Sequence, residues 1–119
     1  MTVRRMKTYT GGQGYVYQYY FVGKRRSLAS AAAASTEFIF DVTADRKTLF
    51  AVSVFLARAA VEEWAANHGR GLTDAEEYGA VKMRLFQAFD EIEDLQAEGR
   101  RLNMDSADLE RVLGLLGID

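Results

Sequence analysis

The sequence has no cysteine, so disulfide bonds, thiolate zinc sites and cysteine nucleophiles are excluded. It also has no proline, which together with its many alanines and its preference for arginine over lysine suggests a bacterial chain encoded by GC-rich DNA. No apolar stretch approaches the length of about eighteen residues that suggests a membrane-spanning helix. We therefore expect no membrane segment, and the cytoplasm is the expected location.

Acidic residues are absent before Glu37, whereas this first part of the chain carries a charge of +6 from arginine and lysine. From Val61 onward, fourteen acidic residues against six basic ones give a charge of −8. Such an asymmetry indicates either a face that binds a polyanion or two halves that attract each other within one fold.

The composition is that of a folded globular chain, with 119 residues, 49% hydrophobic and 27% charged. One hydrophobic core is enough for this length. We predict a single domain over residues 1–119, with a strand region at 14–56 and a helical region at 57–117. Residues 1–10 are expected to be a flexible N-terminus, and the small-residue segment 27–35 is expected to be a linker.

The segment after GGQG is rich in aromatic and β-branched residues, which is typical of a strand. Strand alternation separates two sets of side chains. One face would carry Tyr15, Tyr17, Tyr19 and Phe21, and the other Val16, Gln18, Tyr20 and Val22. Because both sets are largely apolar, this strand is predicted to be covered on both sides.

Two further strands are predicted around the polar tetrapeptide at 44–47, which has the length and polarity of a hairpin loop. Pairing of Thr43 with Thr48 would place Phe40 opposite Ala51 and Asp41 opposite Phe50. Apolar groups would then again lie on both faces of the sheet.

Helical periodicity begins at Ala57 and predicts a first helix that ends at Gly69. Thr73 and Glu76 have the spacing of a capping box, so a long helix is expected to follow and to continue until Gly99. These helices are predicted to come after the strands in the chain, so no β-α-β alternation is expected.

A last helix is predicted to begin at Asp105 or Ser106 and to end at Gly117. Three strands followed by about three helices indicate an α+β fold. Its sheet would be a three-stranded antiparallel meander that includes the hairpin.

Catalytic and metal-binding patterns are weak. The single histidine, His68, falls in the last turn of a predicted helix, where a polar or cationic side chain suits the helix dipole. Asp90 and Asp94 share a helix face, but neither an EF-hand loop nor paired Glu-x-x-His motifs accompany them. GGQG leads into a strand rather than a helix, so it is interpreted as a turn. We expect the protein to bind no metal and no cofactor, and the sequence supports no assignment of a catalytic residue.

One alternative function is binding of single-stranded nucleic acid. Exposed aromatic rings on a sheet can stack bases while neighbouring cations contact phosphates. The candidate residues are Tyr15, Tyr17, Tyr19, Lys24, Arg25 and Arg26. A second alternative is an enzyme whose pocket lies between sheet and helices, with Tyr78, Asp41 or Glu63 as acid or base.

The leading hypothesis is a small, non-catalytic interaction or regulatory protein that forms a homodimer or a tight complex with another protein, joined through the second face of the sheet or through the long helix. It depends on the apolar character of both sheet faces, because large exposed apolar patches mark interaction surfaces. The candidate interface residues are Tyr20, Phe50, Val52, Tyr78, Leu85 and Phe89.

Overall fold

The computed structural model describes residues 6–12, 14–28 and 34–119, and within these ranges it is an α+β fold with a curled mixed sheet of five strands and four helices. The strands are β1 (Lys7–Thr10), β2 (Val16–Leu28), β3 (Ala34–Thr43), β4 (Phe50–Ala57) and β5 (Arg101–Met104). The helices are α1 (Arg58–His68), α2 (Asp74–Glu91), α3 (Leu95–Glu98) and α4 (Ser106–Leu115).

The spatial order of the strands is β1-β2-β3-β4-β5. The first four strands form an antiparallel meander, and β5 joins β4 in parallel after the chain has passed through three helices. The predicted meander of three strands is therefore roughly right but lacks both edge strands. Each edge strand has only four residues, too few for a clear alternating pattern in the sequence.

Two predicted irregular segments are partly strand. Residues 7–10 belong to β1 rather than to a flexible terminus, while residues 1–5 lie outside the described residues. In the predicted linker at 27–35, Ser27 pairs with Ser35 and Leu28 with Ala34, so its two ends continue the β2–β3 ladder. Residues 29–33 of that linker also lie outside the described residues.

The register between β3 and β4 differs by one residue from the predicted one, since Val42 pairs with Phe50 and Phe40 with Val52. The turn is wider because the Asp45 carboxylate accepts hydrogen bonds at 2.8 Å from the backbone amides of Lys47 and Thr48. A one-residue shift moves every side chain of a strand to the opposite face. The large side chains of β4 therefore join those of β3 on a single face.

This face, called the covered face, packs against the helices. Tyr17 stacks on Phe89 of α2 with ring centroids 4.4 Å apart, and Phe21 meets Tyr78 edge to face at 5.1 Å. Helix α1 adds the fully buried Trp64 to the same core. Most aromatic side chains of the strand region are thus buried against the helices of the same chain.

The opposite face of the sheet, called the open face, has no helix packed on it among the described residues. Alternation and the bulge between Phe21 and Gly23 determine which side chains it carries. Its central part consists of Gln18, Tyr20, Val22, Arg25, Glu37, Ile39, Asp41, Ser53, Phe55, Arg101 and Asn103.

Helix boundaries agree with the capping signals in the sequence where caps are present. Helix α1 ends at Gly69, whose φ of 73° is left-handed, and Thr73 with Glu76 forms the predicted capping box of α2. The prediction that α2 continues to Gly99 is wrong, because the backbone becomes extended at Ile92. No helix within the described ranges is long and apolar enough to cross a membrane.

The last helix also follows its capping signals. Asp105 forms a capping box with Asp108 at the start of α4. Gly117 adopts a left-handed φ of 73° just beyond its end. The predicted start at Asp105 or Ser106 and the predicted end at Gly117 are therefore confirmed.

Candidate functional site

The aromatic row proposed for stacking nucleic-acid bases lies mostly inside the protein. Tyr17 and Tyr19 are each 3% exposed, whereas Tyr15 is 46% exposed at the start of the strand. Burial raises the pKa of the Tyr17 and Tyr19 hydroxyls. A base cannot stack on a ring that is already enclosed, so only Tyr15 of this row is available at the surface.

Most of the candidate interface residues are also internal. Phe50, Val52, Leu85 and Phe89 are at most 7% exposed in the isolated subunit. Side chains buried in their own core cannot contact a partner, and the corrected β3–β4 register explains why Phe50 and Val52 point there. Of the remaining two, Tyr78 packs under the covered face and Tyr20 lies on the open face.

The three residues suggested as acids or bases do not converge. Tyr78 belongs to the core side of α2, and Asp41 accepts a hydrogen bond from Tyr20 on the open face. Glu63 lines a groove between α1 and α4. His68 stacks on Trp64 and contacts the Glu110 carboxylate at 2.9 Å, which links α1 to α4. None of these arrangements assembles a shared reactive centre.

The acidic residues at the end of α2 have structural contacts. The Asp90 carboxylate accepts hydrogen bonds from the Tyr9 hydroxyl at 2.9 Å and from the Gly12 backbone amide at 2.8 Å. Asp94 instead accepts from the Ala97 amide and begins α3. No group of three potential metal ligands occurs among residues 6–12, 14–28 and 34–119. Asp90 therefore connects Tyr9 of β1 and the backbone at Gly12 to the end of α2.

On the open face, the polar side chains are paired across strands. Glu37 is 7% exposed and accepts hydrogen bonds from Arg25 at 2.7 Å and from the Ser53 hydroxyl at 2.6 Å. The hydrogen bond from Arg25 is the main reason why the pKa of Glu37 is lowered. Tyr20 donates to Asp41 at 2.7 Å on the same face. Charge and hydrogen-bonding groups at the centre of this face are thus largely satisfied.

Apolar groups fill the spaces between these pairs. Val22 is 39% exposed at the bulge, and its neighbour Gly23 is paired with Ile39 of β3. The guanidinium group of Arg101 lies over the Phe55 ring, 4.8 Å from its centroid. The open face is therefore a mixed surface in which apolar patches alternate with polar groups that already have partners.

A second feature, called the basic crevice, lies at the end of β2 beyond the aromatic row. It has a volume of about 370 Å³. Its lining consists of Lys24, Arg25, Arg26, Thr36, Arg58, Asp74 and Glu77. The sequence pattern singled out the first three of these basic residues. It missed Arg58 and Glu77, because only the tertiary structure brings the starts of α1 and α2 to this place.

The chain matches no protein-family model, no curated protein and no solved structure. The open face and the basic crevice are two surface features in which charged or polar side chains from several elements lie close together.

Proposed function

We propose that this chain is a small, non-catalytic interaction or regulatory protein that acts as a homodimer, with the two copies joined through their open faces. The observation that carries the proposal is the lack of any helix over this face in the described part of the chain, combined with the pairing of its polar groups. An intracellular, cytoplasmic setting belongs to the same proposal.

The hydrogen bonds between polar side chains of the open face lower the free-energy cost of burying it under a partner. An unpaired charge loses its hydration when a partner covers it, whereas a charge with hydrogen bonds keeps those bonds. Glu37 already has Arg25 and Ser53 as partners, and Asp41 has Tyr20. Tyrosine and arginine are also enriched at protein interfaces, whereas lysine is depleted. The open face carries tyrosine and arginine but no lysine among its described residues.

The area of the open face is compatible with a stable dimer. Five strands spaced about 4.8 Å apart, with central strands roughly 30 Å long, offer on the order of 600 Å² per copy. Two copies would bury on the order of 1,200 Å², which lies at the lower end of specific interfaces. Both edge strands are short, so face-to-face packing is favoured over pairing of strand edges.

A second copy of the chain fits this face by charge. Arg25 and Arg101 are positive, and Glu37 and Asp41 are negative, while Ile39 lies near the middle of the central strand. A face that carries both signs of charge next to an apolar side chain can match its own two-fold related copy. Symmetric dimers are the commonest oligomers, which supports the same choice.

We expect Val22→Glu to weaken dimerisation at least tenfold, because it would bury a carboxylate without a partner at the interface. Sedimentation velocity over a range of about 1 to 100 µM should show a concentration-dependent dimer for the wild type and a monomer for the variant. Val22 is 39% exposed, so the subunit itself should remain folded.

The matched control is Leu115→Glu, which changes an apolar residue that is 66% exposed on α4. This variant should dimerise like the wild type, and circular dichroism melting should show that both variants fold. A wild-type monomer at every concentration would contradict the proposal. Dissociation by Leu115→Glu but not by Val22→Glu would place the interface on the helices and would contradict it as well.

A further inference from the structure

From the geometry of the basic crevice, we infer that it binds the phosphate group of a small, hydroxyl-bearing phosphate ester. The crevice is formed by side chains from β2, β3, α1 and α2, so it is a concave site rather than a track along one strand. Its volume of about 370 Å³ lies within the usual range of small-molecule sites. This inference does not depend on the proposed dimer, because the cations that carry it, Lys24 and Arg26, lie on the covered side of the sheet, and only Arg25 borders both features.

The bulge in β2 directs two cations toward the crevice. Before the bulge, Tyr19 and Phe21 point to the covered face, and after it Lys24 and Arg26 do so, since they pair with Phe38 and Thr36. The extra residue changes which positions face the helices. Without it, alternation would send Lys24 and Arg26 to the open face.

The cations of the crevice are not all neutralised. Arg58 is held by hydrogen bonds from its Nη1 to Glu77 at 2.9 Å and to Thr36 at 3.2 Å. Lys24 has a loose ion pair of 3.7 Å with Asp74, whose side chain is 92% exposed, and its ammonium group lies 5.7 Å from the centroid of the Phe38 ring. Arg26 makes no hydrogen bond or ion pair with any described residue. Positive charge is therefore available to an anion at Lys24 and Arg26.

The chemistry of the lining favours a phosphate monoester. An arginine guanidinium group can donate two parallel hydrogen bonds to a phosphate, and lysine adds a point charge. Asp74 and Glu77 can accept hydrogen bonds from hydroxyl groups of the same ligand. Arg25 is paired with Glu37 and Arg58 with Glu77, so Lys24 and Arg26 supply the positive charge that an anion can use.

A polynucleotide is disfavoured by two observations. Tyr17 and Tyr19 are enclosed in the core and cannot stack bases. The chain from Val61 onward carries a charge of −8, which repels an extended polyanion more than a single phosphate group.

The test is a titration with inorganic phosphate, ribose 5-phosphate and unphosphorylated ribose, followed by the backbone amide shifts of the ¹⁵N-labelled protein. We expect the two phosphorylated probes to shift the amides of Lys24, Arg26, Thr36 and Arg58, with ribose 5-phosphate binding more tightly than phosphate. Ribose alone should cause no shift. The double variant Lys24→Gln/Arg26→Gln should bind ribose 5-phosphate at least tenfold more weakly.

A matched control removes the same charge elsewhere. Arg46→Gln/Lys47→Gln changes two exposed basic residues in the β3–β4 turn, at the other end of β3, and should bind like the wild type. The inference is overturned by equal loss in both double variants, by equal shifts with sulfate or chloride, or by the absence of shifts at the crevice. Tighter binding of oligo-dT than of ribose 5-phosphate would also overturn it, because it would identify a polynucleotide site.

Discussion

Replacing Tyr17 with alanine is expected to lower the free energy of unfolding by about 3 to 5 kcal/mol, the range measured for large aromatic residues removed from cores. Tyr17 is 3% exposed, and its ring stacks on Phe89 with centroids 4.4 Å apart. The substitution therefore removes buried apolar area and leaves a cavity between β2 and α2. Urea unfolding followed by circular dichroism measures the change.

Tyr15 provides the control because it lies two residues earlier in the same aromatic row. It is 46% exposed, so Tyr15→Ala should cost less than about 1 kcal/mol. A similar loss in both variants would mean that the row is not divided between surface and core as described. Both measurements should be made at one low protein concentration, since dimerisation would add to apparent stability.

The second large effect is expected for Asp90→Ala, which should lower the free energy of unfolding by about 1 to 3 kcal/mol. It removes the acceptor of two hydrogen bonds, one from the Tyr9 hydroxyl and one from the Gly12 amide. These bonds attach the β1–β2 hairpin to the end of α2. Amide hydrogen exchange should show the loss locally, as faster exchange in β1.

Asp94→Ala is the matched control, because it removes a carboxylate from the same acidic stretch. The Asp94 carboxylate accepts a hydrogen bond only from the Ala97 amide, at the start of the short helix α3. This variant should lower the free energy of unfolding by about 1 kcal/mol or less and leave amide hydrogen exchange in β1 unchanged. Unchanged β1 exchange in the Asp90 variant would show that the turn is held by other contacts. Gly11 makes a close approach at the same place, since a Cβ there would lie 3.0 Å from the Phe89 carbonyl oxygen.

The sequence was sufficient for those parts of the fold that local signals determine. Gly69, Thr73 and Asp105 mark helix ends through capping chemistry that involves only neighbouring residues, and all three were predicted correctly. The end of α2 was missed because the helical pattern of apolar residues continues past Ile92, where the backbone leaves the helix without a glycine or proline.

Register and edge strands could not be predicted from local patterns. The Asp45 turn shifts the β3–β4 pairing by one residue, and this shift decides whether Phe50 faces the core or a partner. The sequence therefore overestimated how apolar the second face of the sheet is. The open face is less apolar than expected, and no helix packs on it within residues 6–12, 14–28 and 34–119.

The basic crevice could be predicted only in part from the sequence. Lys24, Arg25 and Arg26 are adjacent in the chain, so the sequence pointed to them as a charged cluster. Their division between two faces depends on the bulge, which places Arg25 against Glu37 and Arg26 against Thr36. A bulge leaves no reliable mark in one sequence, so the crevice became recognisable only in the folded chain.

Thiol protection tests most directly the claim that the open face is the surface through which two copies associate. Because the chain has no cysteine, Val22→Cys and Leu115→Cys each introduce a single reactive thiol. Between about 1 and 200 µM protein, maleimide labelling of Val22→Cys should slow at least tenfold, while Leu115→Cys should label at a constant rate. A Val22→Cys labelling rate that does not change over this range would contradict association of two copies through the open face.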